Sequence, residues 1–95
     1  MLTLHIGLPA REGKEQALEQ VFLQEFRPAI SAQEGFQDVQ LLRSLEDKAS
    51  YCLVIAFESP ELQQKWVASD LHQEVWPALA DLCKDFSLQK YNSVS

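Results

Sequence analysis

The segment Tyr51-Cys52-Leu53-Val54-Ile55-Ala56-Phe57 constrains this chain more than any other, because it is an unbroken apolar run rich in β-forming side chains. Successive side chains of a strand point to opposite faces, so Tyr51, Leu53, Ile55 and Phe57 share one side and Cys52, Val54 and Ala56 the other. Both sides are apolar. Leaving a large apolar side chain in water forgoes about 1.5–3 kcal/mol, and a whole exposed set would form a sticky patch. The run therefore predicts a strand at the centre of a sheet, buried on both faces.

The flanking sequence supplies the rest of that sheet. Leu2, Leu4, Ile6 and Leu8 alternate with Thr3, His5 and Gly7, the period of two of a half-buried strand that Pro9 closes. From Arg11 the apolar positions change to steps of three and four: Ala17, Leu18, Val21, Phe22, Phe26, Ala29 and Ile30 give one helical stripe. Pro28 is expected to kink or end this helix a turn early. Gly35 punctuates, Phe36 to Ser44 reads as a second strand, and the polar turn Leu45 to Ser50 makes a hairpin with the apolar run.

Ser59, Pro60 and Glu61 provide an N-cap, a first-position proline and a first-turn acid for a helix carrying Leu62 and Trp66. Asp70 with Gln73 reads as a second capping pair that opens a further helix through Val75, Leu79 and Leu82, with Pro77 suggesting a bend. Phe86, Leu88 and Lys90 alternate with Ser87, Gln89 and Tyr91 as a last strand, and Asn92 to Ser95 is a tail. The order βαββαβ predicts an α+β fold of the ferredoxin-like kind, a four-stranded antiparallel sheet with helices on one face, spanning residues 1–95 as a single domain. One face of such a sheet stays bare. Two sheets packed face to face would cover it, so a homodimer is expected.

Eight basic against fourteen acidic residues leave a formal charge of −6, and the cations are scattered. No basic patch is available to neutralise phosphates, which argues against nucleic acid and anionic membrane as partners. The amino terminus enters a strand pattern directly, without a basic region or a long apolar run, which predicts a cytoplasmic protein. Cys52 and Cys83 show no metal or redox spacing and read as small core residues. Neither histidine stands at a ligand spacing such as HxxxH, and no glycine-rich phosphate loop or serine nucleophile elbow is visible, so neither a metal nor a cofactor is expected.

Chemically useful side chains concentrate in Trp66-Val67-Ala68-Ser69-Asp70-Leu71-His72, with Trp76 one turn on. The stretch spans the junction of two helical pieces, where a change of direction can aim side chains at a cavity rim. His72 titrates in the range that suits an acid or base near neutrality. His5 is the other candidate, on the opposite side of the first strand from Leu4 and Ile6 and so facing the surface a partner would cover. The same residues also fit a plainer reading, in which both tryptophans pack on the core, Asp70 caps and His72 lies at the surface.

Arg11-Glu12-Gly13-Lys14-Glu15, Glu34-Gly35-Phe36, Leu41-Leu42-Arg43, Tyr51-Cys52-Leu53-Val54 and Glu58-Ser59-Pro60-Glu61, followed by Trp66 to His72, together resemble the antibiotic biosynthesis monooxygenase family of dimeric α+β barrels. The resemblance covers almost the whole chain. It implies a homodimer joined through the sheets, with a pocket between sheet and helices in each subunit. It also implies, for some members, oxygenation of phenols or quinols without metal or flavin, the substrate supplying the electrons. Trp66 falls where members often place a pocket Trp or His, and His72 matches a frequent His six positions later. Oxygenating members tend to carry an amide near the pocket Trp, whereas Leu62, one turn before Trp66, is apolar.

Haem-degrading relatives resemble the chain at Trp66 and Ser69-Asp70. They require an Asn on strand one and a His about ten residues after the Trp; here the only Asn is Asn92 and the tenth position is Trp76. Haem cleavage is therefore disfavoured. A related stress-responsive barrel family also places a His six residues after an aromatic, so Trp66 and His72 fit both. Two readings follow. In one, the chain is a cofactor-independent monooxygenase acting on a small aromatic, quinol-like molecule, with Trp66, Phe36, Phe57 and Trp76 lining the pocket and His72 or His5 taking a phenolic proton. In the other, it is a non-catalytic barrel that binds a hydrophobic small molecule or a partner protein.

Overall fold

A computed structural model describes residues 1–94; Ser95, the end of the expected tail, lies outside the described residues. Strands β1 (Leu2–Pro9), β2 (Phe36–Arg43), β3 (Ser50–Phe57) and β4 (Ser87–Asn92) form one antiparallel sheet in the order β2-β3-β1-β4. The apolar run is thus a central strand, as its composition requires. Register places Leu4 opposite Ile55 and Ile6 opposite Leu53. The alternate residues of β1 and β3 therefore gather on one face, where Leu4, Leu8, Tyr51, Leu53, Ile55 and Phe57 are all buried.

Helices α1 (Glu15–Val21), α2 (Arg27–Ser31), α3 (Pro60–Val67) and α4 (Asp70–Ala80) pair with that face in the core, through Leu18, Ile30, Trp66, Val75 and Leu79. The opposite, outer face carries none of them. There Cys52, Val54 and Ala56 are only half-buried and Leu42 and Tyr91 are exposed. The strand is covered on one side by its own chain and half-exposed on the other.

Several local expectations are corrected. The first helix starts at Glu15 and not Arg11, because residues 11–14 form a turn with Gly13 at a φ of 79°. Pro28 does not end this helix. Instead Phe22–Phe26 widens into a π-turn, in which the Arg27 N–H reaches back to the Phe22 carbonyl, and α2 continues to Ser31. A proline ring would collide with the carbonyl four residues before it in a regular α-helix, and the wide turn relieves that collision while keeping Phe22 and Phe26 in the core.

Ser69, not Asp70, caps α4: its hydroxyl accepts from the His72 N–H at 3.2 Å and donates to the Trp66 carbonyl at 2.7 Å, so one side chain joins both helices at the corner. Helix α4 runs on through Pro77 to Ala80, and β4 begins at Ser87, one residue after Phe86. The α3 cap is as expected, with the Ser59 hydroxyl accepting from Leu62 N–H, Pro60 first and Glu61 behind it.

Candidate functional site

The corner between α3 and α4 stands over the helix-facing side of β1 and β3, and it leaves a cavity of about 180 Å³. Leu4, Ile6 and Ile55 form its floor, and Phe26 enters from the π-turn. Helix α3 contributes Gln63, Trp66 and Val67, helix α4 contributes His72 and Trp76, and Phe86 and Leu88 close the side nearest β4. The wall is aromatic. Phe26 meets the Trp66 ring edge-on at 6.1 Å and the Trp76 ring at 6.4 Å, and Trp76 in turn meets Phe86 at 5.3 Å.

His72 is held within this wall. Its ring lies edge-on to Trp66 at 5.0 Å and stacks on Trp76 at 6.2 Å with 18° between the planes. Its Nδ1 atom is enclosed with no hydrogen-bond partner. A bare lone pair is easier to enclose unpaired than an N–H⁺, and burial accordingly lowers the His72 pKa below its ordinary value of 6.5. At neutral pH the imidazole is uncharged and, among the described residues, is the only titratable group in the cavity wall.

Of the six residues singled out in the sequence, the structure brings together Trp66, His72 and Trp76. It does not bring Phe36, Phe57 or His5 to them. Phe57 is fully buried in the core two residues beyond Ile55, and Phe36 packs on it edge-on at 6.2 Å. His5 is exposed on the outer sheet face beside the Tyr91 ring at 4.9 Å, the side that strand alternation assigned to it. Among the described residues, no three His, Cys, Asp or Glu side chains converge as a metal site.

Gln63 is the residue that reading the sequence misses. One full turn before Trp66 stands the apolar Leu62, but three residues back is also the same helix face. Gln63 is buried at 7% exposure and lines the cavity, with its Oε1 accepting from Gln64 Nε2 at 3.1 Å. The site thus holds an amide and a neutral imidazole in an otherwise apolar aromatic box.

A second, more open groove lies between α1 and β2, where Glu19 Oε2 accepts from Tyr51 Oη at 2.5 Å and from Arg43 at 3.0 Å. Burial, reinforced by the Glu19 carboxylate, raises the Tyr51 pKa above 10, so the phenol stays protonated and acts as a clasp between helix and sheet.

A family model for antibiotic biosynthesis monooxygenases matches residues 1–76 of the chain. No curated protein matches the sequence. Among solved structures, SnoaB of Streptomyces nogalater, a cofactor-independent oxygenase, superposes with a TM-score of 0.89 at 18% identity, over 99% of this chain and 93% of that one. A Bordetella bronchiseptica protein carrying the family name superposes at 0.83 with 24% identity, over 99% and 98%. One from Nitrosomonas europaea does so at 0.86 with 14% identity, over the whole of both chains. At these identities the likeness is one of fold.

Proposed function

The chain belongs to the antibiotic biosynthesis monooxygenase family, and from that premise we propose that residues 1–95 form one domain that oxygenates a small phenolic or quinol-like aromatic in the pocket beside Trp66, without metal or flavin. The observation that carries this reading is the pairing of an aromatic, apolar box with one uncharged imidazole and one buried amide. Such a box favours a planar apolar ring, and a few fixed polar groups orient it. His72 accepts the phenolic proton, and the electron-rich anion left behind transfers an electron to oxygen. Oxygen then bonds to the ring; one oxygen atom stays on carbon as a carbonyl and the other leaves as water, so that a phenol becomes a quinone and the substrate supplies every electron. In this reading Gln63, which lines the pocket, hydrogen-bonds the ring oxygens. SnoaB, a cofactor-independent oxygenase of the same fold, supports the mode of reaction.

Oxygen uptake with a panel of one- and two-ring phenols and quinols tests it. Consumption of one oxygen molecule per quinone formed is expected. Binding of the same compounds, seen as thermal stabilisation without any uptake, would instead favour a non-catalytic carrier, a reading supported by a cavity wall in which, among the described residues, no carboxylate stands beside His72.

The same proposal includes a homodimer. Half-buried Cys52, Val54 and Ala56 at the centre of the outer face, with Leu42 at 49% exposure beside them, form an apolar surface that a second sheet would cover. Val54→Asp, which sets a charge at the middle of that face, is expected to give monomers by light scattering at micromolar concentration with unchanged circular dichroism. A wild-type protein already monomeric there would remove the dimer. Cys52 and Cys83 are both unpaired thiols, in keeping with a cytoplasmic place of work.

A further inference from the structure

Phe86 and Leu88 differ from the other residues of the pocket wall. They are its exposed members, at 49% and 48%, whereas the rest are buried or half-buried. They also lie beyond residues 1–76, the part of the chain that the family model matches. Leu88 is pinned opposite Ile6 in the sheet, but Phe86 precedes the first β4 pair, Gly7 with Ser87. Its N–H is held by the Asp85 carboxylate, which accepts it at 2.8 Å. Its ring stands at 89° to Trp76, 5.3 Å away, at the solvent-exposed edge of the cavity lining.

We propose that Phe86, backed by Leu88, is the specificity-determining wall of this pocket and limits its ligand to a neutral, single-ring aromatic. The inference rests on the reading of this pocket as the aromatic-binding site, and it adds which aromatics enter. An apolar cavity of about 150 Å³ holds a benzene, so about 180 Å³ accommodates one ring with small substituents. A second fused ring would need the space that Phe86 occupies. Among the described residues no Lys, Arg, Asp or Glu lines the cavity, so a carboxylate or sulfonate on the ring would be buried without a counter-charge.

The test is binding by the full chain, followed through Trp66 and Trp76 fluorescence, of 4-methylphenol, 2-naphthol, 9-phenanthrol and 4-hydroxybenzoate. Wild type is expected to bind 4-methylphenol and to reject 4-hydroxybenzoate. Phe86→Ala is expected to tighten 9-phenanthrol roughly tenfold or more while changing 4-methylphenol by less than about threefold. Phe86→Leu, which keeps most of the bulk, is expected to stay near wild type. If Phe86→Ala does not fold, Phe86→Val carries the test and is expected to admit 2-naphthol, which wild type rejects, while changing 4-methylphenol by less than about threefold. An unchanged order of ring sizes in these variants, or 4-hydroxybenzoate bound as tightly as 4-methylphenol, overturns the inference alone. Absence of binding by every phenol to every variant overturns the pocket reading and the inference together.

Discussion

Gly35→Ala is expected to destabilise the protein by roughly 2–5 kcal/mol, the sum of about 1–2 for a side chain at positive φ and about 1–3 for overpacking. Gly35 sits at a φ of 82° between α2 and β2, and a Cβ there would come within 2.5 Å of Leu62 Cδ1 and 2.9 Å of Leu62 Cβ. The first contact could be relieved by turning the leucine. The second cannot, because Cβ moves only with the helix. Relief therefore means displacing α3, and with it Gln63 and Trp66. For a domain of this size each kcal/mol lowers the melting temperature by about 4–8 °C, so the loss is large against a total of about 5–15 kcal/mol.

Gly13 supplies the comparison. It too has positive φ, 79°, but a methyl group on its Cα would meet nothing within 4 Å. Gly13→Ala is expected to cost only the backbone share, about 1–2 kcal/mol. Urea denaturation of both variants separates the two contributions. Equal losses would mean that α3 shifts freely, and that the position of Trp66 is not fixed from this side.

The contrast between these glycines shows what sequence can and cannot convey. Both punctuate, and punctuation is legible; what each one faces is not. The sheet was legible because β1 and β3 carry unambiguous patterns, alternation in Leu2 to Leu8 and an unbroken run in Tyr51 to Phe57. The α3 start was legible because Ser59, Pro60 and Glu61 each satisfy a separate requirement of a helix N-terminus. At α4 the neighbours Ser69 and Asp70 are both good caps. Only the geometry of the corner, where the Ser69 hydroxyl can also reach the Trp66 carbonyl, decides between them. The π-turn had one trace in the sequence, Pro28 inside an apolar stripe, and that trace fits a helix end equally well.

The site was half legible for a related reason. Trp66, His72 and Trp76 lie close in sequence across one corner, so local spacing brings them together. Phe36 and Phe57 qualify by being aromatic, but aromatic character does not fix depth: Phe57 shares its face with Ile55 yet lies one pleat further along, inside the core. Phe26, Phe86 and Leu88 enter from distant segments, which only the strand order and the π-turn bring near. Gln63 was within reach of the helical rule, three residues before Trp66.

His72→Ala is expected to lower oxygen uptake by about 10²- to 10⁴-fold, the usual contribution of a positioned general base. The pH profile distinguishes that role from a packing role. Burial favours the uncharged ring, so the His72 pKa in the folded protein lies below 6.5. A base must be uncharged to accept a proton; uptake is thus expected to be level above pH 6.5 and to fall as pH drops through the folded value.

Stability follows the same sign. Below pH 6.5 the unfolded chain protonates this histidine while the folded protein resists, so the unfolded state binds more protons. The contribution is fully present above 6.5 and is lost as pH falls through the folded pKa. His72→Gln is expected to lessen that acid loss of stability, measured by urea midpoints between pH 7 and pH 5, and to remove the acid limb from any residual uptake. A variant that keeps wild-type uptake and its acid limb would end the role of His72 as base. A loss that followed His5→Ala instead would move the chemistry across the sheet to the outer face, where His5 lies beside Tyr91.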